Sequence, residues 1–324
     1  MSQPIAAPKN APLELKLQIM LRNWSYPEFR EILYKEARSC RTYGCSNVYQ
    51  RLYAYIRALE LRKHGLIYNE IKRNISNEIG YIVPNSVLPC WLRGAHTPLG
   101  NISVFDVHCS EVGLIMGLVL SDGHRRQHYN RRGLVNNREV SFFNKEKDII
   151  EEFREACSKL GLKVSDRSNL EGKCPKAETH STLLYLLVKR YDDFIVKAPT
   201  NVQMSFLRGL MLGDGYIGIR IKLYNTNLKL IEVASKVLEI HGIKHSIQGP
   251  YRPNPPRRKL RYDIYIWKKA GGNFLKLIGL AESPPRPSII NLKISPIWLW
   301  LGLGLGGGGV VEGGRRGGVG ARRG

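Results

Sequence analysis

Acidic residues are scarce in this chain. Its 324 residues include 27 Asp and Glu against 50 Lys and Arg, which gives a net charge of +23 and an isoelectric point near 9.9. A deficit of negative charge on this scale indicates a polyanionic partner. Charge alone does not separate DNA from RNA or from an acidic membrane, but it predicts binding that weakens steeply with salt.

Cysteines and long apolar runs are also sparse. The six cysteines include no CxxC pair, so we interpret them as reduced thiols of an intracellular protein in the cytoplasm, the nucleoid or an organelle. Cys40 and Cys45 give a weak zinc signal that lacks a second pair. Lys293 and Pro296 interrupt the apolar segment 289–311, which excludes a membrane helix. Prolines precede any apolar run at the N-terminus, which excludes a signal peptide.

One motif occurs twice. Residues 115–123 read Ile-Met-Gly-Leu-Val-Leu-Ser-Asp-Gly, and residues 207–215 read Leu-Arg-Gly-Leu-Met-Leu-Gly-Asp-Gly. Both copies are predicted to be apolar helices with Gly in third place, a small residue in seventh place and Asp-Gly at the end. A single run of this kind commonly marks a core helix with a polar end. Two copies indicate a duplication.

The repeat continues after each motif. Asn144–Glu151 aligns without gaps on Asn225–Glu232, and each segment opens an amphipathic helix. The apolar faces of these helices are Ile149, Ile150, Phe153 and Cys157 in the first copy, and Leu230, Ile231, Ala234 and Leu238 in the second. Apolar and polar residues alternate in Ile219–Tyr224 and Arg261–Trp267, which is typical of half-buried strands. Each copy is then an α+β half-domain of αββαββα order.

These features resemble the single-chain, two-motif LAGLIDADG homing endonucleases over roughly residues 106–282. The resemblance implies two pseudo-symmetric half-domains that form a DNA-binding β-saddle, with Asp122 and Asp214 side by side at its base. It implies that these aspartates, with Ser121 and Gly213 beside them, hold Mg²⁺ or Mn²⁺, since paired carboxylates suit hard cations. Cleavage of both strands across the minor groove, leaving short 3′ overhangs, is the implied reaction.

A basic residue near each scissile phosphate is a further feature that the resemblance implies. Lys145 lies at a strand–helix junction, but its counterpart in the second copy is Thr226, so the role there passes to Lys222. Lys189 and Lys268 are the alternatives. A solvated surface charge is the competing interpretation for each lysine alone.

Two basic stretches, residues 124–132 and 252–261, are predicted to be hairpin tips that reach phosphates and major-groove edges. The first hairpin of the first copy is longer than that of the second, which predicts a long, asymmetric target in double-stranded DNA. The residues predicted to contact DNA are Arg125, Arg126, His128, Arg131, Arg132, Arg220, Tyr224, Arg252, Arg257, Arg258, Lys259 and Arg261.

The regions outside the repeat are predicted to form separate parts. Helices over Val48–Lys63, Tyr68–Glu78 and Val87–Arg93 resemble a helix-turn-helix DNA-binding module, with a small helical packing domain as the alternative. The predicted parts are an unassigned arm at 1–44, the helix-turn-helix-like domain at 45–103, half-domains at 104–200 and 201–283, and a disordered Gly/Arg-rich tail at 284–324.

The sequence therefore predicts a monomeric, site-specific DNA endonuclease of intron-encoded or free-standing origin, active in intron homing. An intron RNA maturase or a non-cleaving DNA-binding regulator on the same scaffold is the main alternative, and a basic protein held by charge alone is another. Cleavage needs both Asp122 and Asp214, whereas binding by the saddle does not.

Overall fold

The computed structural model describes the chain in six stretches, which are residues 4–39, 47–131, 135–166, 174–218, 220–252 and 259–280. The zinc hypothesis for Cys40 and Cys45 and the predicted tail fall outside these residues. Cys90, Cys109, Cys157 and Cys174, which the structure does describe, are free thiols. Within the described stretches, no helix combines the length and apolar character needed to cross a membrane.

Helices and a short antiparallel sheet precede the repeat. They are β1 (Ala6–Ala7), α1 (Leu13–Ser25), α2 (Pro27–Arg38), α3 (Val48–Lys63), α4 (Tyr68–Ile79), α5 (Val87–Leu92) and β2 (Val104–Phe105). Helix α4 ends at Gly80, whose φ of +69° is the left-handed conformation that glycine adopts readily. Trp91 of α5 is 2% exposed and packs edge-on against Tyr55 of α3. Pro89 falls in the first turn of α5, where its missing N–H costs the helix nothing.

Buried hydrogen bonds join these N-terminal elements to one another and to the repeat. The ammonium of Lys16 on α1 donates to the backbone oxygens of Leu99 at 3.2 Å and Gly100 at 3.0 Å. The Tyr49 hydroxyl on α3 donates to the backbone oxygen of Thr182 at 3.0 Å. The apolar cores of the helical region and the repeat are continuous.

The first half-domain follows the predicted αββαββα order. Its elements are α6 (Ser110–Asp122), β3 (Gly123–Tyr129), β4 (Val135–Phe143), α7 (Lys147–Lys159), β5 (Val164–Asp166), β6 (Lys176–His180) and α8 (Thr182–Lys189). The antiparallel sheet has the strand order β3-β4-β6-β5. Phe142 of β4 stacks on Phe153 of α7, so the helices cover one face of the sheet and leave the other open.

A short helix, α9 (Tyr191–Phe194), and a 3₁₀ turn lead into the second half-domain. Its elements are α10 (Thr200–Asp214), β7 (Gly215–Ile217), β8 (Ile221–Asn225), α11 (Leu228–Ile240), β9 (His245–Tyr251), β10 (Arg261–Ile266) and α12 (Lys268–Leu277). The sheet order, β7-β8-β10-β9, matches that of the first half. Ile221 and Leu223 are buried while Lys222 and Tyr224 lie on the open face, as the alternation predicts.

The predicted α+β class and the order of both half-domains are confirmed. The apolar faces of α7 and α11 are buried, because these helices cover the sheets. One prediction was wrong: residues 124–129 form strand β3 rather than a hairpin tip, because they pair with β4 along their whole length. The domain boundaries and the helix-turn-helix assignment stay predictions.

Candidate metal centre and nucleic-acid interface

Helices α6 and α10 pack directly against each other along matched glycines. A Cβ atom added to Gly117 would lie 2.9 Å from the Cα of Gly209, and a Cβ added to Gly209 would lie 2.9 Å from the Cα of Gly117. These neighbours are backbone atoms, which cannot rotate aside. Only glycine at both places lets the helices approach this closely.

The close packing brings the ends of the two helices together. Asp122 and Asp214 are the last residues of α6 and α10. A Cβ added to Gly213 would overlap the Ser121 side chain and lie 3.6 Å from Oδ2 of Asp122. Ser121, Asp122 and Gly213 therefore lie together, and Asp214 follows Gly213 directly in the chain. The Ser121 hydroxyl donates to the backbone oxygen of Leu118 at 2.7 Å, within its own helix.

Asp214 is held by a side chain that the sequence analysis did not single out. The amide of Asn225, the last residue of β8, donates to Oδ2 of Asp214 at 2.6 Å. The oxygen of the same amide accepts from the backbone N–H of Asn227 at 2.8 Å, just before α11 begins. The gapless alignment of Asn144 on Asn225 was the sequence signal that could have identified Asn225 as a functional residue. In the first half-domain, the side-chain oxygen of Asn144 makes the equivalent bond and accepts from the backbone N–H of Glu146 at 2.9 Å.

Tyr224 lies within electrostatic reach of both aspartates. Burial raises the pKa of its hydroxyl, and the carboxylates of Asp214 and Asp122 raise it further, while Arg261 opposes them. Tyr224 on β8 thus interacts electrostatically with the aspartates of both half-domains. The centre is shared between the halves, with Asp122 exposed and Asp214 half-buried.

The two lysines predicted near the scissile phosphates have different surroundings. Burial raises the pKa of the Cys174 thiol, Lys145 lowers it and Asp122 raises it, which places Lys145 and Asp122 near the same group. Lys145 is exposed. The ammonium of Lys222 lies 4.8 Å from the ring centroid of Tyr265, its partner across the β8–β10 ladder.

The alternative lysines lie differently. The Lys189 ammonium is 2.5 Å from Oε1 of Glu36, a buried carboxylate on α2. Arg190 binds the other oxygen of Glu36 at 3.1 Å. This pairing directs Lys189 towards the N-terminal helices. The side chain of Lys268 lies outside the described part of the chain.

The predicted DNA contacts of the first sheet divide between its two faces. Arg126 and His128 lie on the open face, because they alternate along β3 with residues on the helix-covered face. Arg125 is on the covered face: burial raises the pKa of the Tyr185 hydroxyl on α8, and Arg125 lowers it. Arg131 is exposed beyond the end of β3.

On the second sheet, the Arg261 guanidinium lies 5.8 Å from the ring centroid of Tyr224 and 5.4 Å from that of Tyr251. Its Nε is 2.9 Å from Oδ1 of the buried Asp263. The remaining predicted contacts that the structure describes are exposed: Arg220, Arg252 and Lys259. The predicted contacts outside the described residues are Arg132, Arg257 and Arg258.

The chemistry of the two helix ends suits a hard divalent cation. Among the described residues, no group of three or more His, Cys, Asp or Glu side chains is placed to hold a metal ion. Mg²⁺ does not require such a cage, since it keeps several waters and binds through one or two carboxylates together with substrate phosphates. Two carboxylates at the junction of α6 and α10 meet that requirement.

A second polar cluster on the open face of the first sheet was not anticipated. Oε1 of Glu139 accepts from Lys176 at 2.6 Å, and Lys176 also pairs with Glu178. Glu139 and Glu178 are buried although they lie on the open face. Alternation along β4 and β6 predicts on which face of the sheet Glu139 and Glu178 lie. It does not predict their pairing with Lys176, which depends on the register between strands.

Comparison with protein families identifies the second half of the repeat. Residues 201–279 match the family model described as a LAGLIDADG-like domain. The matched residues contain the second aspartate-ending helix, so the resemblance to LAGLIDADG proteins is confirmed for this half-domain. No curated protein matches the chain.

Solved structures of LAGLIDADG proteins are similar to this chain. I-DmoI in complex with DNA and Mn is 17% identical with a TM-score of 0.43, covering 54% of this chain and 98% of that chain. I-DmoI in complex with DNA and Ca is 18% identical with a TM-score of 0.45, covering 56% and 95%. The N-terminal LAGLIDADG domain of DUF199/WhiA is 17% identical with a TM-score of 0.37, covering 52% and 82%.

Proposed function

We propose that this protein is a site-specific endonuclease that hydrolyses double-stranded DNA with the help of Mg²⁺ or Mn²⁺. The observation that carries the proposal is the meeting of Asp122 and Asp214 at the ends of two helices locked together by glycine contacts. Each aspartate ends the first helix of a half-domain whose sheet offers an open polar face. The net charge of +23 supports a polyanionic substrate inside the cell.

The side chains around the aspartates suggest a division of labour. A divalent cation held by the two carboxylates would polarise an attacking water and stabilise the leaving oxygen. Asn225 fixes one oxygen of Asp214 and so orients the carboxylate. In this proposal, Lys145 and Lys222 each neutralise a phosphate of one DNA strand.

The two sheets support an asymmetric target. Strands β3 and β4 span seven and nine residues, whereas β7 and β8 span three and five. The longer hairpin reaches further along the duplex, at about 3.3 Å per residue. We therefore propose a long target site without twofold symmetry, bound by a monomer in the course of intron homing.

Helices α3 to α5 are proposed as an additional DNA contact of the helix-turn-helix kind. Helices α3 and α4 are joined by a short turn that contains Gly65 at a φ of +86°. Asn69, Arg73 and Asn77 recur at helical spacing on α4 and are all exposed. Arg and Asn are side chains that read guanine and adenine in the major groove.

The proposal is tested by incubating the full chain with the uninterrupted allele of the gene that flanks its reading frame, with Mg²⁺ and with EDTA. We expect metal-dependent double-strand cutting at one position. Tight binding without cutting would instead favour the non-cleaving regulator, and preference for RNA of the same locus would favour the maturase. Absence of any sequence preference would favour a basic protein held by charge alone.

A further inference from the structure

Glu139 occupies the centre of the open face of the first sheet and is 4% exposed. Its Oε1 accepts from the Lys176 ammonium at 2.6 Å, and its Oε2 lies 2.7 Å from Nε2 of His128. The His128 side chain is 38% exposed. The carboxylate is therefore enclosed while the imidazole that it holds reaches solvent.

Lys176 is shared by two carboxylates of this cluster. Lys176 also pairs with Glu178, which is 1% exposed and lies 3.5 Å from the Ser165 hydroxyl. One ammonium is thus shared between two buried carboxylates. A protonated His128 would add a second positive charge beside Glu139.

Other titratable or charged groups face this cluster from each neighbouring strand. Arg126 of β3 and His180 of β6 stand opposite Glu139 in the two ladders. The rings of His180 and His128 are 6.3 Å apart. Nε2 of His124 is 3.7 Å from Oε1 of Glu139.

Glu139 also decides which ring nitrogen of His128 carries a proton. Burial alone would raise the pKa of Glu139, but hydrogen bonds from Lys176 and His128 lower it to about 2. An ionised carboxylate accepts only, so Nε2 of His128 donates to it. In the neutral ring Nδ1 is then an acceptor, and only a second proton makes it a donor.

We propose that Glu139 is a positioning residue that makes His128 a proton-dependent contact to a backbone phosphate of bound DNA. The protonated ring donates through Nε2 to Glu139 and through Nδ1 to a phosphate oxygen, whereas the neutral ring presents a lone pair there. DNA binding by the first sheet therefore takes up a proton at His128. This inference rests on the proposed function, since it assumes that the open face binds DNA.

The test measures the affinity of the full chain for a random-sequence 36-base-pair duplex between pH 6.0 and 8.5 at constant ionic strength. The DNA-bound state holds the extra proton, so affinity should fall as pH rises, by at most about tenfold per pH unit. His128→Gln and Glu139→Gln should both flatten this profile. Calorimetry in buffers of different ionisation enthalpy should register proton uptake by the wild type and less by His128→Gln.

His108→Gln is the matched control. His108 also pairs with a glutamate, Glu28, but at the opposite end of the 13-residue helix α6, about 20 Å from Asp122. The His108→Gln variant should keep the wild-type dependence of DNA affinity on pH. A His128→Gln profile as steep as that of the wild type would overturn the inference while leaving the proposed function intact. Absence of DNA binding by the wild type at every pH would overturn the proposed function itself.

Discussion

The side-chain amide of Asn225 donates to Oδ2 of Asp214 at 2.6 Å, and its oxygen accepts from the N–H of Asn227 at 2.8 Å. One side chain thus ties the end of α10 to the start of α11. Because the first bond occupies one carboxylate oxygen, it sets the direction in which the other oxygen points. A partner of this kind orients a metal ligand.

Asn225→Ala should therefore slow cleavage by roughly 10–100-fold, the usual cost of losing an outer partner of a metal ligand. Asn227→Ala is the matched control, because the Asn227 side chain caps α11 through the N–H of Leu230, whereas the Asn225 side chain holds Asp214. Each variant should lose about 1 kcal/mol of unfolding free energy. Single-turnover cleavage and thermal unfolding measure the two effects. Equal cleavage by the two variants would contradict the orienting role.

Asp122→Asn and Asp214→Asn should each abolish double-strand cutting while sparing binding, because the amide removes the charge that holds a divalent cation. The loss should exceed the roughly 10–100-fold expected of Asn225→Ala. Asp148→Asn, at an exposed site in the first turn of α7, is the control and should cut normally. Gel cleavage assays with Mg²⁺, beside binding measured in EDTA, separate the two activities. Undiminished cutting by both variants would refute the metal role.

Gly117→Ala and Gly209→Ala should destabilise the protein by about 1–3 kcal/mol or more, because the added methyl group meets backbone atoms of the partner helix. Gly272→Ala is the control, since a Cβ there would meet nothing within 4 Å. It lies inside α12 and should be neutral or stabilising by about 0.5–1 kcal/mol. Urea unfolding measures all three. An unchanged free energy of unfolding for Gly117→Ala would mean that α6 and α10 can move apart without loss of stability.

Stability towards acid should depend on Glu139. Its pKa is lowered to about 2 by Lys176 and His128 against the effect of burial, so the ionised form stabilises the fold above its unfolded-state pKa. That contribution, on the order of 3 kcal/mol, is lost as pH falls from about 4.5 to 2. The stability gap between wild type and Glu139→Gln should close over this range. The exposed Glu155→Gln should show no such convergence, and a gap that stays constant would argue against a charged Glu139.

Much of the fold could be predicted because its signals are local. Hydrophobic periodicity marked α7 and α11, and alternation marked β8 and β10, since each depends on neighbours within a few residues. Asp-Gly at the end of both apolar helices placed Asp122 and Asp214 correctly. The strand that carries His128 was mistaken for a hairpin tip, because its charged residues hide the alternation that burial on one face normally imposes.

The sequence by itself determined the duplication, the order of elements in each half and the glycines that allow the two aspartate-bearing helices to touch. Tertiary structure alone decided that Asn225 holds Asp214, that Glu139 binds Lys176 and His128, and that Arg126 rather than Arg125 lies on the open face. The physical reason is strand register. A shift of one residue would turn every side chain of a strand to the other face, and register is set by contacts between segments far apart in the chain.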